Sequence, residues 1–131
     1  MCGSCAKVGT SNNVSTSTKL VQPIPIPPEI ARLDIWVMEA DGSIPTVIHE
    51  GEGLFHHPDW SPDGSQIAFT DEVDGNAEIF VMDADGSNRE RLTRTAGADT
   101  KPAWSPDGQR IAFTSYRTGF PSVWIMMADG L

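Results

Sequence analysis

Acidic residues in short turns are the first candidates for chemistry in this sequence. Asp83 and Asp85 lie two positions apart and are followed by Gly86, a spacing similar to the beginning of a calcium-binding loop. A working calcium loop needs six or more oxygen ligands over a longer segment that ends in a bidentate glutamate. The Asp-Gly pair also has the composition of a tight hairpin turn, and we favour the turn. We therefore expect no cofactor, with weak calcium binding at Asp83 and Asp85 as the alternative.

A second acidic turn contains Asp71, Asp74 and Asn76, and it has the same two interpretations, a hairpin turn or a fragment of a calcium loop.

Three histidines, His49, His56 and His57, are close enough in the sequence to raise the question of a zinc site. Their spacing fits no standard zinc motif. His56 and His57 fall in a variable loop just before a predicted strand, so we expect them to be exposed loop residues. The sequence contains neither a Gly-x-Ser-x-Gly nucleophile elbow nor a glycine-rich phosphate loop. We predict that the chain is not an enzyme.

The two cysteines, Cys2 and Cys5, form a Cys-Gly-Ser-Cys segment at the N-terminus. A redox Cys-x-x-Cys normally opens a helix in a βαβ unit, and c-type haem attachment needs a histidine where this chain has Ala6. Three alternatives are left open. The cysteines are free thiols on a tail, they link two chains by a disulfide in an oxidising compartment, or one of them carries a lipid.

The overall composition argues against nucleic acid and membrane as partners. Among 131 residues the formal net charge is −9, with only nine Lys and Arg, so the chain would repel a phosphate backbone. No apolar stretch approaches the roughly 20 residues that span a bilayer. Residues 1–20 also lack the apolar centre of a signal peptide. We expect no nucleic-acid partner and no membrane span.

The elements that must position these residues follow an internal repeat with a period of 44 residues. The segment WSPDG at 60–64 recurs at 104–108, and IAFT at 67–70 recurs at 111–114. Another segment occurs three times at the same spacing, without insertion or deletion. Its copies are IWVMEADG at 35–42, IFVMDADG at 79–86 and VWIMMADG at 123–130.

A period in the low forties, with short β-branched and aromatic runs between turns, is typical of a propeller blade of four antiparallel strands. In Ser-Pro-Asp-Gly the proline fixes φ and the glycine supplies a positive φ, which reverses the chain between the first two strands. The Asp-Gly pairs after the third strand predict tight hairpins. Residues 79–82 are apolar on both faces, which predicts that blades stack on both sides.

These motifs closely resemble the TolB-type β-propeller repeat. That repeat has a Trp-Ser-Pro-Asp-Gly turn, an Ile-Ala-Phe strand, an Ile-Tyr-Val-Met-Asp-like strand and an Asp-Gly-Ser-Asn hairpin leading to Arg-Leu-Thr. Residues 59–93 match nearly throughout, and the resemblance covers about 34–131. Full propellers of that family commonly carry six blades and act as protein-binding scaffolds in the periplasm, or as gating domains beside a catalytic domain. The resemblance implies an all-β fold, binding rather than catalysis, and a periplasmic or extracellular location.

Assigning the strands of that family divides the chain into a tail and an incomplete propeller of about two to two and a half blades. Residues 1–29 are predicted to form a flexible, extended tail, in which alternating Ile and Pro residues suit an edge strand donated to another sheet. Residues 30–131 contain the repeats. They comprise a half blade at 34–49, a full blade at 58–93 and a three-stranded blade at 102–131.

So few blades leave apolar faces and strand edges without neighbours at both ends, which repeat proteins avoid by closure or capping. We predict a structural protein whose copies complete each other as a head-to-tail filament or a closed ring, with strand donation as one route. The alternatives are a protein- or peptide-binding fragment of a larger propeller, and the gating domain of a peptidase or hydrolase. The predicted assembly interface contains Val21, Ile24, Ile26, Ile35, Val37, Val123 and Ile125.

Overall fold

The computed structural model describes the backbone of residues 5–9, 32–52 and 57–130, and the side chains of 34–50 and 57–130. These ranges contain ten β-strands and no helix, so no helix in the described part is long and apolar enough to cross a bilayer. The strands are β1 (Cys5–Gly9), β2 (Arg32–Met38), β3 (Thr46–Glu52), β4 (Asp59–Trp60), β5 (Gln66–Val73), β6 (Asn76–Asp83), β7 (Glu90–Arg91), β8 (Asp99–Trp104), β9 (Arg110–Ser115) and β10 (Ser122–Met127).

The strands form three antiparallel sheets, which we call the N-terminal, middle and C-terminal blades. The N-terminal blade has the order β1-β2-β3, the middle blade β4-β5-β6-β7 and the C-terminal blade β10-β9-β8. Each blade is a meander in which strands that follow in the sequence lie side by side. The predicted fold class, an all-β chain of antiparallel propeller-like blades, is confirmed.

The strand β1 lies in the region that the sequence analysis assigned to a tail. It pairs with β2 in antiparallel register, from Cys5 opposite Met38 to Gly9 opposite Asp34. The N-terminal blade therefore has a third strand in addition to the two predicted from the repeat. The predicted donor residues and the first cysteine lie outside the described residues; these are Val21, Ile24, Ile26 and Cys2.

The two predicted turn motifs have the geometry that their residues require. In the WSPDG turn Gly64 has φ of 72°, and its N–H donates to the carbonyl of Ser61 at 2.9 Å. In the hairpin after β6, Gly86 has φ of 87° and donates to the carbonyl of Asp83 at 2.9 Å. Both positions are in the left-handed region, where a side chain is costly, so glycine is the residue that fits.

The core consists of two layers, one on each face of the middle blade. The first layer joins the middle blade to the N-terminal blade, and the second joins it to the C-terminal blade. The buried members of the first layer are Ile35, Ile67, Phe69, Phe80 and Met82. Those of the second are Ala68, Ile79, Val81, Leu92, Ile111 and Phe113, and Trp104, Trp124 and Met126 pack against them. Stacking on both sides explains why residues 79–82 are apolar without alternation.

Candidate functional site

The carboxylates of the WSPDG turns hold the turns closed. Asp63 accepts hydrogen bonds from the Ser61 hydroxyl at 2.6 Å, the Ser65 hydroxyl at 2.8 Å and the Ser65 N–H at 3.0 Å. These hydrogen bonds, the one from Ser61 above all, lower the pKa of Asp63 to about 2. One repeat later Asp107 accepts from the Ser105 hydroxyl at 2.5 Å, which lowers the pKa of that carboxyl in the same way. Both carboxylates are therefore turn residues.

We expect the turn at Asp63 to make stability depend on pH in the acid range. Because the folded pKa is lowered from 3.8, the stabilisation is complete above 3.8 and is lost as the pH falls towards about 2. In Asp63→Asn the charge is absent, so the urea midpoint of the wild type should exceed that of the variant at neutral pH. The difference should shrink between pH about 4 and about 2. A difference that stays constant over this range would contradict the assignment.

The predicted calcium candidates are engaged in a hairpin turn. Asp85 accepts from the N–H of Ser87 at 2.8 Å and from its hydroxyl at 2.6 Å, and these bonds lower the pKa of Asp85. Asp83 accepts from the side-chain amide of Asn88 at 2.7 Å. Across the described residues, no group of three or more His, Cys, Asp or Glu is arranged to hold a metal ion. The geometry is that of the turn we favoured.

The two histidines in the described residues, His49 and His57, have different surroundings. His49, on β3, has its Nε2 atom 3.1 Å from a carboxylate oxygen of Asp71 on β5, and its ring lies 5.0 Å from the ring of Phe69. It thus connects the N-terminal blade to the middle blade. His57 is exposed in the loop before β4, as expected, and His56 lies outside the described residues.

Asp71, which the sequence placed in an acidic turn with Asp74 and Asn76, is instead a buried residue of strand β5 and one of three buried carboxylates in the described residues. Burial acts to raise the pKa of Asp71, but hydrogen bonds from His49 and the Glu72 N–H and the charge of Arg89 outweigh burial and lower it. Arg89 also contacts this first core layer, with its guanidinium 4.3 Å from the ring centre of Phe80. Asp71, His49 and Arg89 together join the N-terminal blade to the middle blade.

The other two buried carboxylates pair with arginines near the C-terminal blade. Glu78 accepts from Arg91 Nη2 at 2.6 Å, and Asp99 accepts from Arg117 Nη2 at 3.1 Å. Arg117 stacks over Trp124 at 4.2 Å from the ring centre. Each carboxylate is fully buried and is paired with an arginine that reaches partly to the surface, an arrangement that ties neighbouring segments of the blades together.

The outward side of the C-terminal blade is an apolar surface. We call it the C-terminal face and define it by two cross-strand pairs, Val123 with Thr114 and Ile125 with Ala112. Val123 and Ile125 are 77% and 63% exposed. The residues 44 positions earlier are Ile79 with Thr70 and Val81 with Ala68, and all four are buried at 5% exposure or less beneath the C-terminal blade.

The structure reverses the predicted orientation of β2. Ile35 is fully buried and Val37 packs beside it against the middle blade, so both belong to the internal core. The other side of the strand carries Trp36 and Met38, which are partly exposed, and we call it the N-terminal face. The predicted interface at this end therefore moves from Ile35 and Val37 to the opposite side of the same strand. The error arose because β2 is apolar on both sides.

A cavity of about 340 Å³ lies where the middle and C-terminal blades meet, at the end away from the WSPDG turns. Its floor contains Ala77, Ala98 and Thr100, and its rim contains Lys101 and Tyr116. The lining also includes His57, so an imidazole, an aromatic ring and a cation border the small residues of the floor.

The family of the chain follows from a comparison with known protein families. A sequence model of the TolB beta propeller domain matches residues 29–131. The chain belongs to the TolB β-propeller family. The resemblance inferred from the WSPDG turns and the three VMDADG-like segments is thereby confirmed. A comparison with curated protein sequences finds no match.

Solved structures with the TolB fold superimpose on this chain. The putative TolB from Agrobacterium tumefaciens has a TM-score of 0.68 at 31% identity, over 79% of this chain and 44% of that protein. TolB from Acinetobacter baumannii has a TM-score of 0.65 at 30% identity, over 75% of this chain and 27% of that protein. An oligogalacturonate lyase in complex with manganese has a TM-score of 0.58 at 26% identity, over 73% of this chain and 27% of the lyase.

This chain therefore spans less than half the length of the TolB proteins that it matches. The structural neighbours include both TolB proteins and an enzyme, so the TolB-like fold does not by itself decide between binding and catalysis. The function has to be argued from the surfaces of this chain.

Proposed function

We propose that this chain is a non-catalytic scaffold whose C-terminal face is covered by a second copy of the chain. The observation that supports the proposal is the exposure of Val123 and Ile125, whose counterparts Ile79 and Val81 are buried by a following blade. A repeat protein places the same residues at the same positions because each blade packs on the next. The last described blade has the residues for this contact without the partner.

The free energy gained by burying the C-terminal face against another copy is large enough to drive association. Burying a Val or Ile side chain stabilises by about 1.5–3 kcal/mol, so two of them supply roughly 3–6 kcal/mol. Ala112 and Thr114 add further contact area. Part of this energy offsets the lost freedom of the two copies, so we expect assembly that depends on protein concentration.

The open edge of β10 is a second feature that a neighbouring copy would complete. In the middle blade β6 pairs with β7, whereas in the described part of the C-terminal blade β10 pairs with β9 alone. An unpaired edge of this kind accepts an added strand. The tail residues Val21, Ile24 and Ile26 are our proposed donor.

Sedimentation velocity of the full chain tests the assembly. We expect the wild type to sediment as assemblies larger than 14.2 kDa, and the variant Val123→Lys/Ile125→Lys to sediment as a monomer. The variant should keep its β-sheet circular dichroism, because both side chains point away from the core. The matched control Gln109→Lys/Thr118→Lys adds the same charge at exposed positions and should assemble like the wild type. A wild type that stays monomeric at all concentrations would overturn the proposal.

The same samples report on the cysteines. The family resemblance implies a periplasmic or extracellular location, where a disulfide through Cys2 or Cys5 would link neighbouring copies. Electrophoresis without reducing agent should then show dimers or larger species that reducing agent removes. A single monomer band from oxidised, assembled protein would exclude the link.

A second candidate function is protein or peptide binding as one part of a larger TolB-like propeller. It is favoured by the length of the TolB relatives, of which this chain spans less than half, and by the 340 Å³ cavity. In that case a further blade of the same type covers the C-terminal face.

A gating role beside a hydrolase is the third candidate, since the neighbours include enzymes, although no nucleophile elbow is present in this sequence. The native mass of the protein separates the first two candidates.

A further inference from the structure

The two internal junctions between blades follow one rule of orientation. At the first junction, Ile35 of the N-terminal blade meets Phe80 and Met82 of the middle blade. At the second, Ile79 and Val81 of the middle blade meet the C-terminal blade, whose side of the contact includes Trp124 and Met126. The Ile and Val positions of one blade thus always meet the aromatic and Met positions of the next.

The two outward faces of the chain are the two halves of this same junction. The C-terminal face carries Val123 and Ile125, at the positions of Ile79 and Val81. The N-terminal face carries Trp36 and Met38, 88 positions before Trp124 and Met126. We infer that the N-terminal face of one copy covers the C-terminal face of another, and this inference rests on the proposed function.

A symmetric pairing of two C-terminal faces is less favoured by the structure. It would place Val123 and Ile125 against the same residues of the partner, a contact that neither internal junction uses. The head-to-tail contact instead repeats a packing that the chain already forms twice. Because such a contact is heterologous, it leaves one free face of each kind on every dimer and continues into a ring or a filament.

The hairpin glycines give independent support for an open N-terminal end. A Cβ atom on Gly86 would lie 2.3 Å from the carbonyl oxygen of Ile48, and one on Gly130 would lie 3.2 Å from the Leu92 side chain. Both contacts are with the preceding blade. At the equivalent Gly42 no atom lies within 4 Å of such a Cβ, so the described part of the chain leaves this hairpin free for a neighbour.

Mixing two complementary variants tests the inference. The variant Val123→Lys/Ile125→Lys keeps the N-terminal face, and Trp36→Lys/Met38→Lys keeps the C-terminal face. Each should be a monomer alone, and an equimolar mixture should form a 1:1 complex of twice the 14.2 kDa chain mass without growing further. Growth stops because the remaining two faces of the complex are blocked.

The outcomes separate this inference from the proposed function. If Val123→Lys/Ile125→Lys assembles like the wild type, the C-terminal face is not the binding surface and both fail. If Trp36→Lys/Met38→Lys alone still assembles, or if the mixture stays monomeric, the head-to-tail contact is wrong while the C-terminal face stands. Should the Trp36 variant lose its fold, Met38→Lys alone replaces it, with an expected weakening of association by tenfold or more. Unchanged association of that variant would also overturn the inference.

Discussion

Replacing Glu78 with alanine should lower the free energy of unfolding by about 3 kcal/mol, because a buried ion pair loses one partner. Glu78 is fully buried on β6. Its carboxylate accepts from Arg91 Nη2 at 2.6 Å and from the Thr93 hydroxyl at 2.6 Å. It also accepts from the Asn76 side chain at 2.9 Å and the Thr95 N–H at 3.2 Å. The change removes the acceptor of four hydrogen bonds, and the one from the Thr93 hydroxyl is buried, so that donor loses its partner without water to replace it.

Urea denaturation of Glu78→Ala measures this loss, and three further variants, Glu90→Ala, Arg91→Ala and Arg91→Ala/Glu78→Ala, test its cause. Glu90→Ala removes an exposed carboxylate from the neighbouring strand β7 and should change stability by about 0.5 kcal/mol or less. In Arg91→Ala/Glu78→Ala the unpaired cation is also removed, so the double variant should be more stable than the sum of the two single losses predicts. A loss below about 1 kcal/mol in Glu78→Ala would show that the carboxylate is not a structural centre.

The fold could be predicted from the sequence because its determinants are local and repeated. The glycines of the WSPDG turns need a positive φ wherever they occur, and Gly64 and Gly108 have φ of 72° and 69°. The third strand of the middle blade is apolar on both faces, and the structure buries both. Each of these features depends on residues within a few positions of one another, and the 44-residue spacing shows each of them at least twice.

The buried carboxylates could not be predicted because the repeat does not keep them in every blade. Glu78 has Ser122 at the equivalent position of the C-terminal blade, and Asp71 has Ser115. Their arginine partners lie 13 and 18 residues away, across strands whose register is set by packing. A charged residue in the middle of an apolar β-strand was the available signal, since such a residue is rarely buried unless it is paired.

The outward side of the N-terminal blade was missed for a different reason. A strand with apolar residues on both sides carries no alternation that tells which side meets the next blade. The order of the blades around the middle blade supplies that information, and it places Ile35 inward and Trp36 outward. The strand β1 was missed because residues 5–9 have no counterpart in the repeat.

Replacing Gly86 with alanine should lower the free energy of unfolding by about 3 kcal/mol. Part of the loss, about 1 kcal/mol, is the cost of a side chain at φ of 87°. The remainder comes from the new Cβ atom, which would lie 2.3 Å from the carbonyl oxygen of Ile48. Because that oxygen belongs to backbone, relief requires the N-terminal blade to move away from the middle blade, and such overpacking costs about 1–3 kcal/mol.

Gly42→Ala is a matched control because it isolates the backbone cost from the clash. Gly42 occupies the same place in its own hairpin and has the same φ of 87°, but no atom lies within 4 Å of its added Cβ. We expect a loss of about 1 kcal/mol for Gly42→Ala, with the difference between the two variants reporting the contact between blades. Gly130→Ala should fall between them, because the Leu92 side chain at 3.2 Å can rotate. Equal losses at Gly42 and Gly86 in urea denaturation would mean that the hairpin does not press on the preceding blade. The hairpin glycines would then give no support to the inferred contact between the N-terminal face of one copy and the C-terminal face of another.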